Sequence, residues 1–243
     1  MSLNFRNIQL VIFALDRTLF DSDKAQNNAC CQVDYWLKQY QIDNGCFWLR
    51  FEQVQSRTFD LCLEYKLSLA QFRVQRFTET LAYFGHHDQA LAVHLNHVFM
   101  QSLSQAQDFC HGALDILKYM FNCSKNMVIL SNGLAEIQHE KIKNLKLDQM
   151  MQRFYLAEET GLYKPNISAF KQILHDYQLS PQQCLMIGED EVLDIDPADR
   201  LGMWSYHVTN TALQQQPKTY RLSGNLMALL EYCGQQQCCL SCA

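Results

Sequence analysis

The 243-residue sequence contains no apolar run of membrane-spanning length, since about 20 predominantly apolar residues in succession are needed to cross the hydrocarbon core. Its first residues, Met1-Ser2-Leu3-Asn4-Phe5-Arg6, carry neither the apolar stretch nor the small-residue cleavage pattern of a secretory signal. These absences predict a cytoplasmic protein with no membrane partner. Positive charge is also scarce: 20 Lys and Arg stand against 25 Asp and Glu, a formal net charge of −5. With no basic footprint, nucleic acid is excluded as the main partner, while a small anion can still bind locally. Proline (4) and glycine (9) are few, and there is neither a low-complexity linker nor an internal repeat. A hydrophobic content of 48% instead lets a chain of this length bury one large core, or one core plus a smaller domain.

Cysteine is the residue in excess. The 11 cysteines are scattered, and most, such as Cys62 and Cys184, occupy apolar-periodic positions. Free core thiols in a reducing compartment account for them better than a disulfide framework. The tail, with Cys233, Cys238, Cys239 and Cys242, is the exception. It could bind metal or carry a lipid, but it has no paired CxxC spacing and no cysteine at the prenylation position.

Three continuous apolar runs, Leu10 to Phe13, Met127 to Leu130 and Cys184 to Ile187, suit strands buried on both faces of a parallel sheet. Helical patterns lie between them, over 113–121, 134–147 and 167–177. This alternation predicts an α/β domain, a Rossmann-like three-layer core with a parallel sheet. From about Asp21 to Asp108 the alternation stops and the period is helical throughout. Ser68 is placed to cap a helix through Leu69, Phe72, Phe77 and Leu81, with Gly85 as its stop. Asp88 is placed to cap the next, through Leu91, Leu95, Val98 and Phe99. This stretch reads as an all-helical domain inserted after the first strand. The expected division is a core of residues 1–20 and 109–243 with an α-helical cap of 21–108. Gln214 to Gln216 and Gln235 to Gln237 read as solvated loops or ends.

Ligands of an open parallel sheet bind beyond the carboxyl ends of its strands. Four polar segments lie at such places: Ala14-Leu15-Asp16-Arg17-Thr18 after the first strand, Ser131-Asn132-Gly133 after the second, then Lys164-Pro165, and Gly188-Glu189-Asp190-Glu191-Val192-Leu193-Asp194 after a later one. Positions 14 and 16, two apart on an extended segment, project the same way. In order and spacing these segments resemble the four motifs of the haloacid dehalogenase superfamily: a DxDxT loop, a Ser or Thr, a Lys commonly before Pro, and an acidic GDxxxxD-type loop. The helical insert is similar to the cap that family places after its first motif.

The resemblance implies Mg²⁺-dependent hydrolysis of a small phosphate monoester. It assigns the nucleophile to position 14 and the general acid and base to Asp16, with Thr18 beside them. Ser131 and Asn132 would hold phosphate oxygens, and Lys164 would bind phosphate and offset charge at the transferring group. Asp16, Glu189 and Asp194 would hold or orient the metal. Each segment also has a plain reading: an Asx turn at Asp16, helix capping at Ser131-Asn132-Gly133, a solvated lysine at Lys164, an acidic helix start at Glu189 to Asp194.

The sequence departs from the family at the residue that matters most. Ala14 cannot attack phosphorus or ligate a metal, and nucleophile deletions in other enzymes cost on the order of a millionfold in turnover. Glu189 replaces the usual first Asp of the fourth motif, His111 precedes Gly112 where Pro is common, and Arg17 stands where a small residue is usual. Mg²⁺ binding is expected to be weakened. Two readings follow: a phosphatase inactivated by one substitution, engineered or natural, or a pseudoenzyme that binds a phospho-ligand or a protein. His94 and His97, with His86-His87, have metal-compatible spacing but read as cap surface. The rings of Trp36, Trp48, Phe51, Phe59 and Phe72 read mainly as cap core. Substrate and oligomeric state are not encoded in any recognisable motif.

Overall fold

The computed structural model describes residues 3–63, 66–215 and 220–238. In chain order its elements are β1 (Leu10–Phe13), α1 (Ser22–Gln39), α2 (Asn44–Leu63), α3 (Leu69–Tyr83), α4 (Gln89–Ser104), α5 (Ala113–Asn122), β2 (Asn126–Ser131), α6 (Ala135–Asn144) and β3 (Arg153–Leu156). They continue with α7 (Ala157–Thr160), α8 (Ile167–Tyr177), β4 (Cys184–Gly188), α9 (Asp196–Arg200), β5 (Trp204–Val208), β6 (Gln214–Gln215), β7 (Arg221–Gly224) and α10 (Leu226–Cys238). The chain divides into two compact units, one of residues up to Ser22 and from Gln107 onward, the other of Asp23–Ala106. These limits lie two residues inside the insert expected from periodicity. The cause is a short pairing of the two connecting segments: Phe20 and Phe109 form an antiparallel bridge, and the Asp21 N–H donates to the Asp108 carbonyl.

The first unit is built on one sheet of order β3-β2-β1-β4-β5-β7-β6, parallel except for β6. β1 pairs with β2 in register Leu10 to Asn126 and with β4 in register Leu10 to Cys184. Every residue of β1 and β4 is buried, as continuous apolar runs in a parallel sheet require. One face gathers Leu10, Ile12, Ala14, Val128, Leu130, Cys184 and Met186 with Phe170 and Ile173 of α8 and Ala198 of α9. Two features depart from the sequence reading. β3 and β5 went unrecognised because Arg153-Phe154-Tyr155-Leu156 and Trp204-Ser205-Tyr206-His207-Val208 mix polar and aromatic residues and show no clean run. The glutamine pieces are not both solvated: Gln214 and Gln215 form β6, and Gln235 to Gln237 lie in α10. There the Gln236 side chain accepts from the Phe5 N–H at 2.8 Å and donates to the Leu3 carbonyl at 2.6 Å. Cys233 is buried, whereas the side chains of Cys62 and Cys238 and all of Cys239 and Cys242 lie outside the described residues.

The second unit is helical, α1 to α4, around a core of Val33, Phe47, Phe51, Phe77, Leu95 and Phe99. Phe51 and Phe77 lie 4.7 Å apart between ring centroids, and Trp36 and Trp48 flank the same core. His94 sits edge-on to Trp36 at 4.3 Å, so its ring packs against the core's edge and is not simply a solvated surface residue. Ser68 closes a capping box with Gln71, and Asp88 accepts from the Ala90 N–H. Removing a serine cap leaves one helix donor unsatisfied, so Ser68→Ala is expected to lower the unit's stability by about 1 kcal/mol in urea unfolding. An unchanged midpoint would contradict the capping role.

Candidate active site

Three segments at the carboxyl ends of β1, β2 and β4, with Lys164 from the segment after α7, line one hollow of about 150 Å³, with Ala14, Asp16, Ser131, Glu189 and Asp194 also among its walls. The volume is below the roughly 300–1,000 Å³ of sites for drug-sized ligands, and suits a small anionic group. All six residues come from the first unit.

Ala14 continues the extended path of β1, its N–H donating to the Ile187 carbonyl at 2.9 Å. Ala14 is among the walls of the hollow. Arg17 then turns the chain in a left-handed conformation at φ 55°, and the Leu15 carbonyl accepts from Leu19 and Phe20. Asp16 is thereby presented to the hollow with its carboxylate held on both oxygens. Lys141 Nζ lies 2.5 Å from Oδ1, and Gln138 Nε2 lies 2.7 Å from Oδ2. Thr18 is fully buried, and its hydroxyl has no hydrogen-bond partner among the described residues.

Gln138 and Lys141 were not singled out from the sequence. They lie three apart on α6, hence on one face, and Gln138 falls in line with the apolar positions Ile142 and Leu145. A polar amide on an otherwise buried stripe was the available signal. The Gln138 amide nitrogen also donates to Ser131 Oγ at 2.7 Å, and the Gly133 N–H donates to the same oxygen at 3.2 Å. With two donors directed at Oγ, the Ser131 hydroxyl hydrogen is left to point outward as a donor. The amide nitrogen serves both contacts, and the amide oxygen is buried with no hydrogen-bond partner among the described residues.

Asn132 lines the hollow beside Ser131 and ties its amide to the neighbouring loop. It accepts from the Lys164 N–H and donates to the Lys164 carbonyl, both at 2.8 Å, and so fixes the loop carrying that lysine. Lys164, joined to Pro165 by a cis peptide, reaches Asp194 Oδ1 at 2.5 Å. Asp194 is 2% exposed, and its other oxygen accepts from the Asp190 N–H at 3.2 Å. Asp190 caps the turn that follows by accepting from Val192 and Leu193. Glu189 is partly exposed and meets Arg17 Nη1 at 3.4 Å. Beside the site, the Arg221 guanidinium bonded to Glu191 holds that carboxyl below its usual range, while burial pushes Asp199 up. Cys184 stays inside its strand, where burial pushes the thiol up to about 12 and away from nucleophilic use.

A magnesium ion asks for near-octahedral oxygen ligands, usually one or two carboxylates plus waters and phosphate. The donor set does not fit it. Position 14 offers a methyl group, both oxygens of Asp16 carry hydrogen bonds from Lys141 and Gln138, and Asp194 is buried against Lys164, which leaves Glu189 and Asp190 as the remaining carboxylates of the lining. Among the described residues no group of three or more His, Cys, Asp or Glu is placed to hold a metal, the histidines of the helical unit included.

Two glycines make room for this network. A Cβ on Gly133 would stand 1.9 Å from Gln138 Nε2, and one on Gly188 would stand 2.3 Å from Asp194 Oδ2. Gly133→Ala and Gly188→Ala are each expected to displace these side chains and to cost about 1–3 kcal/mol in denaturant unfolding. Wild-type stability in both variants would mean that the packing is looser than drawn.

A family model for haloacid dehalogenase-like hydrolases matches residues 50–208, a stretch that takes in Ser131, Lys164, Glu189 and Asp194 but starts beyond Ala14. A pyrimidine 5'-nucleotidase of Streptococcus pneumoniae is 23% identical over 88% of this chain and 90% of its own length. A glyceraldehyde 3-phosphate phosphatase of Pyrococcus abyssi is 28% identical over 38% of the chain and 39% of its own length. Among solved structures, magnesium-bound YfnB of Bacillus subtilis superposes with a TM-score of 0.69 at 17% identity, covering 93% of this chain and 99% of that one. A 2-haloacid dehalogenase of Pseudomonas syringae gives 0.63 at 20%, covering 95% and 99%. Fold, motif order and family match agree, and the chain belongs to the haloacid dehalogenase-like hydrolases.

Proposed function

We propose that this chain binds a small phosphorylated molecule in the hollow at the strand ends and does not hydrolyse it by the covalent route of its family. The carrying observation is the pairing of a methyl group at Ala14 with an otherwise furnished site: an outward Ser131 hydroxyl, a Lys164 side chain seated on Asp194, and a fixed Asp16. Hydrolases of the family generally use Mg²⁺, and relatives named as a nucleotidase and a phosphatase point to phosphate esters as the ligand class. The helical insert, Asp23–Ala106, holds the chain position of the family's cap segment. The seven described cysteines are free thiols, and no described helix is long and apolar enough to cross a membrane. Both support a reducing, cytoplasmic setting.

A binding role is favoured over a phosphatase silenced at one position because the change at Ala14 does not stand alone. Asp16 is neutralised by Lys141, and Glu189 is longer by one methylene than the family's Asp and leans on Arg17. Restoring the carboxylate by Ala14→Asp is therefore expected to leave hydrolysis of a phosphate-ester panel at background with Mg²⁺ present, while ³¹P NMR of the unaltered protein shows intact esters in bound exchange. Turnover by Ala14→Asp would return the chain to the phosphatases. Absence of bound signal for every ester would remove the binding role.

A further inference from the structure

Glu189 is held only weakly through its side chain. Its contact with Arg17 Nη1, at 3.4 Å, joins an arginine side chain 59% exposed to a glutamate side chain 33% exposed, and an exposed pair of that kind contributes little. Where this carboxylate stands therefore depends on the main chain beneath it. Glu189 is the first residue beyond β4, and the β4–β5 ladder ends at the pairing of Gly188 with His207. The next carbonyl, that of Glu189, lies 2.9 Å from His207 Nε2, so a side chain takes over where strand pairing stops. A carbonyl oxygen only accepts, and Nε2 must therefore carry the hydrogen. Ser205 and His207, two apart on β5, project to one face of the sheet. Ser205 Oγ donates to Asp199 Oδ1 at 2.5 Å, and from β7 Arg221 Nη2 donates to Glu191 Oε1 at 2.6 Å. The three contacts grip the acidic segment at its first residue, at its turn and in the α9 that follows.

We infer that His207 is a positioning residue of the hollow: its Nε2–H, donated to the Glu189 carbonyl, fixes the start of the acidic loop and so keeps the Glu189 carboxylate on Arg17 and off an anion seated in the hollow. This rests on the phosphate-binding reading above and deepens it. Four carboxylates, Asp16, Glu189, Asp190 and Asp194, line the hollow against the Lys164 ammonium, and an anion there is repelled least when each carboxylate is bonded elsewhere. Asp16 is held by Lys141 and Gln138, Asp190 by the N–H groups of Val192 and Leu193, and Asp194 by Lys164. For Glu189 the restraint runs through its backbone, and His207 supplies it without touching the ligand.

The test has three readouts on the full chain. Long-range ¹H–¹⁵N NMR at mildly alkaline pH is expected to show His207, identified by the signal lost in His207→Gln, as the Nε2–H tautomer. Peptides spanning 188–195 should exchange amide hydrogen for deuterium faster in His207→Ala and stay protected in His207→Gln, whose side-chain N–H reaches the same carbonyl. In calorimetry with inorganic phosphate, His207→Ala should bind about tenfold more weakly, the low end of the losses that follow removal of an outer hydrogen-bond partner from a liganded site, and His207→Gln within about threefold of the unaltered chain. Circular dichroism checks that His207→Ala is folded; if it is not, His207→Asn, whose amide falls short of the carbonyl, takes its place. An Nδ1–H tautomer would overturn the inference, and so would exchange and phosphate affinity in His207→Ala equal to those of the unaltered chain. No phosphate heat from the unaltered chain would remove the phosphate-binding reading, and the tautomer and the exchange rates would then decide the role of His207 by themselves.

Discussion

The site depends on one amide. Gln138 donates to Asp16 and to Ser131 at the same time, and so ties the ends of two neighbouring strands, β1 and β2, to the face of α6 that follows them. Gly133 is required for that amide to fit. The orientation of the Ser131 hydroxyl, the fixed position of the Asp16 carboxylate and the approach of Lys141 all follow from it. A neutral bridge between a carboxylate and a hydroxyl in a partly buried place is worth more than a solvent-exposed bond, and it is correspondingly costly to leave half-made.

The opposite wall is built by a similar economy. Asn132 binds the backbone of Lys164 on both sides, Lys164 binds Asp194, and Asp194 packs over Gly188 with its second oxygen on the Asp190 N–H. Polar side chains from motifs far apart in sequence thus satisfy one another before any ligand arrives. The Thr18 hydroxyl and the Gln138 amide oxygen are the exceptions, both buried without a partner among the described residues.

Much of this was legible beforehand because its cause is local. Continuous apolar runs fixed β1, β2 and β4, since a strand covered on both faces has no polar position to display. Ser68 and Asp88 declared their helices through capping, and the aromatic residues of the insert are its core. What was illegible has a common cause: it depends on partners remote in the chain. β3 and β5 are as long as β1 and β4 but mix polar and aromatic residues, so no continuous apolar run marks them. Asn132 holds the backbone of Lys164, a partner 32 residues later in the chain. Gln138 and Lys141 gain their meaning only once α6 is folded back over the end of β1. α6 itself stops at Asn144, short of the expected 147, with Lys146 in a left-handed conformation.

The pairing of Phe20 with Phe109 bears on how the chain assembles. β1 and its neighbour β2 are separated by the whole helical insert, and bringing the ends of so long a loop together carries an entropic penalty that grows with its length. Helical contacts are local and form quickly. An insert that condenses early, with its two ends stitched at one bridge, turns a distant encounter into a near one, and the central strands can then zip as though the intervening helices were a short turn.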